Sequence, residues 1–118
     1  MSQISPQEAA DLLTKFLDER VPIVALFLNP SGMNSCLTGF VDSASRPLGL
    51  VISPVRPPSV KGGFLNIPIF DRECRFEYGE RREIPEAVLS RLGESVGDSV
   101  LTIRFRDTGD LLFIFFTV

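Results

Sequence analysis

Fifteen carboxylates, twelve Lys and Arg, two Cys and no His are the groups with which this 118-residue chain could do chemistry. Without His it lacks the usual zinc ligand, the usual general base at neutral pH and the Ser-His-Asp triad. The carboxylates fall in turns, helix starts and charged faces. None stands alone in an apolar run, so no pair reads as an acid and a base tuned apart by their surroundings. Cys36 and Cys74 match no metal-site spacing. Cys74 has Arg72 and Arg75 as chain neighbours, which could lower a thiol pKa. In a strand, however, Arg75 points to the opposite face, so both Cys read as buried structural thiols. The expectation is a protein that is not an enzyme, with no catalytic residue, no metal ligand and no cofactor.

Arginine is the residue type with the most to offer a ligand. Arg72, Arg75, Arg81 and Arg82 alternate with Asp71, Glu73, Glu77, Glu80 and Glu83, and read as a solvated face whose charges pair with one another. Arg104 and Arg106, two apart on one strand face beside Thr102, make a cleaner basic pair. Together with Arg75 they are the candidate phosphate or ligand contacts. The net charge of −3 gives no global attraction to nucleic acid or anionic lipid, so nucleic acid is the less favoured partner. Pro54-Val55-Arg56-Pro57 meets the loose P-x-x-P pattern but reads as chance in a Pro-rich loop. Lys61-Gly62-Gly63 lacks the spacing of a phosphate loop and the helix after it.

The elements that would position these groups begin with Ser5-Pro6-Gln7-Glu8, a capping box with Pro at the first helical position. Ala9, Leu12, Leu13, Phe16 and Leu17 recur at helical spacing, and Val21-Pro22 should end the helix. Val21–Leu28 is an apolar run that breaks at Asn29-Pro30-Ser31-Gly32, a reversal signal. Met33–Asp42 runs back as a second strand, in which Gly39 predicts a sharp bend or bulge. A loop is expected over Asp42–Pro47, a third strand over Leu48–Ser53 and a long surface loop over Pro54–Gly63. Phe64–Phe70 reads as a strand that Pro68 confines to an edge or a bulge.

Cys74, Phe76 and Tyr78 then alternate with Glu73, Arg75 and Glu77 as a half-buried strand. A charged turn and a short helix over Ile84–Gly93 follow. Leu101, Ile103 and Phe105 alternate with Thr102, Arg104 and Arg106, and Asp107-Thr108-Gly109-Asp110 should turn a hairpin. Leu111–Val118 closes the chain apolar at nearly every position. Such a strand must be covered twice, because each exposed Phe would forgo roughly 1.5–3 kcal/mol of burial. The expected covers are the first helix or a second subunit, and Leu111, Phe113 and Phe115 are the candidate self-association residues.

Residues 7–53 resemble the opening of the Sm-like/Hfq family of small β-barrels. The shared features are the amphipathic helix, Asp18-Glu19-Arg20 before Val21-Pro22, a turn at Gly32, a bent strand with Gly39 and an apolar strand at Leu48–Ile52. The resemblance implies a strongly bent barrel, ring assembly through strand edges and single-stranded RNA bound at loops. The second Sm motif is absent, and a Lys-His pair cannot be present without His. No RNA-binding residue is therefore carried over. The helix-then-barrel order is also similar to the split-barrel domains that accompany PilZ modules.

The reading is a single α+β domain over residues 1–118. It has a strongly bent antiparallel sheet or small β-barrel of six to seven strands, an N-terminal helix and a short second helix. The expected role is a non-catalytic cytoplasmic interaction or assembly module that forms a homo-oligomer or takes a protein partner, with no membrane association. The alternative is an RNA- or nucleotide-binding protein of Sm-like or split-barrel type.

Overall fold

The computed structural model describes residues 1–32, 34–45, 49–56, 63–70, 73–92 and 96–116. Helix α1 (Pro6–Glu19) starts as its sequence requires. The Glu8 amide donates to Ser5 Oγ at 3.1 Å, and the Ser5 amide donates to the Glu8 carboxylate at 3.1 Å. It ends earlier than Val21-Pro22 implied. Arg20 turns left-handed at φ 52° and ψ 45°, and its amide closes on the Phe16 and Leu17 carbonyls. Its guanidinium lies 5.3 Å from the centre of the Phe40 ring.

The described residues form eight strands where six to seven were expected, in one antiparallel sheet: β1 (Ser2–Ile4), β2 (Ile23–Leu28), β3 (Asn34–Ser45), β4 (Gly49–Arg56), β5 (Leu65–Ile67), β6 (Cys74–Glu80), β7 (Ser99–Phe105) and β8 (Leu111–Phe116). Their order is β1-β6-β7-β8-β2-β3-β4-β5. Among the described residues the sheet is open, with β1 and β5 at its edges and no pairing between them that would close a barrel. It is nonetheless bent. Between β3 and β4 the register slips at Thr38/Gly39 and again at Val41/Ser43, leaving Val55 and Asp42 as the extra residues. The bend brings the chain after β5 back towards β6, where the Phe70 and Phe76 ring centres are 6.2 Å apart. Among the described residues, no helix is long and apolar enough to cross a membrane.

The bent sheet wraps α1. Ala9 and Leu13 sit fully buried among Ile23, Ala25, Val41, Leu50, Ile52, Leu101, Ile103, Leu112 and Ile114, and Phe16 stacks on Phe116 with ring centres 3.7 Å apart. The other face is covered as well, and by neither of the expected covers. Val24, Leu26, Val100, Phe113 and Phe115 lie beneath Ile84, Val88, Leu89, Leu92 and Val96. That segment holds a 3₁₀ turn (Arg81–Glu83) and one turn of helix, α2 (Glu86–Leu89). The expected Ile84–Gly93 helix is thus reduced to four residues, and Gly93 lies outside the described residues.

Three further expectations are corrected. The loop over Asp42–Pro47 is strand as far as Ser45, because a bulge at Asp42 lets β3 carry on past the break. Residues 46–48, which include Leu48, lie outside the described part. Strand β4 extends to Arg56, since Pro54, which has no amide to donate, stands opposite Gly39 at a bulge. The Phe64–Phe70 strand is only Leu65–Ile67, and it is an edge, as Pro68 requires.

Gly39 sits at the first of the register slips between β3 and β4. A Cβ there would run into the Ser53 carbonyl oxygen and stand 2.9 Å from Pro54 Cα, both backbone atoms that cannot swing aside. Gly39→Ala is expected to lower stability by about 1–3 kcal/mol, the usual cost of overpacking. A urea unfolding midpoint equal to that of the wild type would contradict the close approach.

Candidate functional site

The β6–β7 pairing brings the three candidate arginines together on the outer face of the sheet. Arg75 and Arg104 stand directly opposite one another, and Arg106 follows at the end of β7, where its amide donates to the Glu73 carbonyl at 3.0 Å. Two of the three are already engaged. Arg104 Nε donates to Glu77 Oε1 at 2.5 Å, and Arg106 Nη1 reaches Glu73 Oε1 at 3.5 Å. Both pairs are solvent-facing, where such contacts contribute about 0–1 kcal/mol. Arg75 is exposed and makes no ion pair among the described residues. Thr102, grouped with these arginines as a wet stripe, is instead buried, its hydroxyl 3.5 Å from Met1 Sδ.

Arg81 and Arg82 do not join this patch. They lie in the 3₁₀ turn at the other end of β6, where Arg82 Nε meets Glu80 Oε2 at 2.6 Å and Arg81 Nη2 meets Asp98 Oδ1 at 3.4 Å. Arg72 is outside the described residues. Neither Cys is in a disulfide, and Cys36 lies against the outer core layer and Cys74 against the inner one, so the sheet stands between them. Of the self-association candidates, Phe113 is 5% exposed and Phe115 0%, while Leu111 is half-buried. The chain's own Ile84, Val88, Leu89, Leu92 and Val96 occupy the face that a second subunit was expected to cover.

One polar cluster could not be read from the sequence. Asp110, buried at the β7–β8 turn, accepts from Asn29 Nδ2 at 3.0 Å and from Thr108 Oγ1 at 2.8 Å. Asn29 Oδ1 in turn accepts from the Ser31 amide at 2.8 Å. Both stretches read as turns, but nothing local says that residues 81 apart will bond. The contact staples the β2–β3 hairpin to the β7–β8 hairpin. Both Asp110 carboxylate oxygens are taken up by that structural work.

Two open clefts lie among the described residues. The larger, about 690 Å³, lies beside the first turns of α1 and is lined by Ser5, Gln7, Asp11, Thr14, Ala44 and Phe70. Its carboxylate, Asp11, accepts from Gln7 Nε2 at 2.9 Å. The smaller, about 560 Å³, holds the paired Glu80, Arg82 and Asp98. Among the described residues, no three of Cys, Asp and Glu gather as metal ligands would. Comparison of the chain with family models, curated proteins and solved structures finds no match.

Glu83 closes the charged turn. Its carboxylate accepts from the Glu80 amide at 2.9 Å and from the Met1 amine at 3.1 Å. The Glu80 amide first, then the Met1 amine, hold its pKa below the usual carboxylate range. With the folded pKa lowered, the contribution to stability is complete above the unfolded pKa and fades as pH falls through the folded one. Glu83→Gln should therefore melt below the wild type at neutral pH, with the gap closing on acidification. Melting curves from pH 7 to pH 3 check this, and a constant gap would contradict it.

Proposed function

We propose that the chain is a non-catalytic interaction module that pairs with a second copy of itself, through the free edge of β5 rather than through its C-terminal strand. Strand β8 is held between β7 and β2 and covered on both faces. Among the described residues, the strands with a side left for a further strand are those at the sheet edges. The observation that carries the reading is Phe64 and Leu65, 70% and 36% exposed, beside the unpaired side of β5. Edge strands in monomers are usually guarded by charge, and Leu65-Asn66-Ile67 has none. Two copies about a twofold axis would lay β5 against β5 antiparallel, each edge completing the other. That Cys36 and Cys74 are not joined in a disulfide accords with a reducing, cytoplasmic setting for this module.

Light scattering coupled to size exclusion tests the pairing. The wild type should run at twice the chain mass, and Phe64→Asp with Leu65→Lys should halve it without altering the melting temperature, since both side chains already face solvent. A wild-type monomer at every concentration would end the reading.

The alternative, an RNA- or nucleotide-binding protein of Sm-like or split-barrel type, draws support from the Arg75–Arg104 juxtaposition. Single-stranded RNA should then bind at low salt with an affinity that falls steeply as salt rises. Arg75→Ala with Arg104→Ala should weaken it by tenfold or more, and RNA binding unaffected by that double variant would remove the arginine patch from the reading.

A further inference from the structure

The outer face of the sheet has a thin cover. Val24 and Phe115 face each other across β2 and β8, as do Leu26 and Phe113, and all four are buried. Of the residues above them, Ile84 and Val96 are buried, whereas Val88, Leu89 and Leu92 are only half-buried. The one helical turn there is far shorter than a helix that persists alone. Its backbone hydrogen bonds are turned inward. Val88 and Leu89 donate to the Pro85 carbonyl, Ser90 to Glu86, Arg91 to Val88 and Leu92 to Leu89. Among the described residues, no backbone hydrogen bond joins residues 85–92 to a strand.

What fastens the cover lies at its ends. The Arg81 amide donates to the Asp98 carbonyl at 2.6 Å, and its guanidinium donates to the Val96 carbonyl at 2.9 Å while pairing with the Asp98 carboxylate at 3.4 Å. The Gly97 amide donates to the Phe116 carbonyl at 2.7 Å. One side chain, Arg81, thus ties the start of the segment to its end. On the cover side of this tie, Ile84 is extended at φ −93° and ψ 133°, as a residue before proline must be.

We propose that residues 84–92 are a hinged cover that opens as one unit while the sheet stays folded, with the Arg81 guanidinium as its latch. Lateral apolar contact and a latch hold it, whereas each strand beneath is held by hydrogen bonds on both sides. The cover therefore belongs to the less stable end of the molecule's local openings. Opening bares Val24, Leu26, Phe113 and Phe115 as one apolar patch. This inference does not depend on edge pairing at β5.

Amide hydrogen exchange in low denaturant tests it with three proteins. In the wild type, the Val88–Leu92 amides should exchange together, faster than those of β2 and β8 and with a shallower denaturant dependence. Ile103→Val, on the inner face, should speed the β2 and β8 amides roughly two- to twelvefold and leave the cover amides unchanged. Arg81→Ala should speed the cover amides about tenfold or more, as loss of hydrogen bonds from a charged donor implies. If that variant does not fold, Asp98→Asn should shift them in the same direction by less. The proposal is overturned if the cover amides follow β2 and β8 in the wild type and in Ile103→Val. It is equally overturned if weakening the latch leaves their rate where it was.

Discussion

Leu112, Ile114 and Phe116 point to one side of β8 and Phe113 and Phe115 to the other, so this strand needs an apolar cover on both faces. Each large side chain so buried contributes about 1.5–3 kcal/mol, and left open the segment would invite sheet-to-sheet aggregation. The molecule meets the demand with two different covers. Helix α1 lies against the inner face, its Phe16 ring stacked on Phe116, and the short segment after β6 lies over the outer one. Placing β8 between β7 and β2 also takes up its backbone groups on both sides. A single strand's composition thereby decides what the amphipathic helix and the second helical turn are for.

The inner cover works only because the sheet bends. A flat eight-stranded sheet would meet α1 along a narrow band, whereas here Val41, Leu50 and Ile52 on one flank and Leu101 and Ile103 on the other converge on the same helix. The bend is made by two register slips between β3 and β4, at one of which Gly39 lets the backbones approach. Capping helps as well. Ser5 and Glu8 set where α1 begins, and Arg20 stops it in a left-handed turn that sends the chain directly into β2.

Much of this was legible in the residues. The capping box, the alternation of Cys74–Tyr78 and of Leu101–Arg106, the edge character forced by Pro68 and the double-faced burial of β8 are all local patterns, and each holds. What was not legible depends on partners distant in sequence. Residues 42–45 look like a loop because Asp and Ser are common in loops, yet β4 offers them a ladder. Ser2–Ile4 carries no strand pattern and becomes β1 because β6 has an open edge. For the arginines, strand alternation placed Arg104 and Arg106 on one face, but neither the register that sets Arg75 opposite Arg104 nor the carboxylates that reach two of them. The identity of the outer cover was missed for the same reason. A helix was expected over Ile84–Gly93, but nothing local says which face of the sheet its apolar side chains will cover.

The β2–β8 pairing has a consequence for biosynthesis. Ile23 lies opposite Phe116, so the first long strand and the one that completes the core are made about ninety residues apart. While the ribosome works through the intervening stretch, β2 has β3 on one side and nothing on the other. Its Val24 and Leu26 wait for Phe115 and Phe113. A topology dominated by such distant pairings folds slowly for its size. For that interval the nascent chain is a client for whatever shields hydrophobic segments during translation.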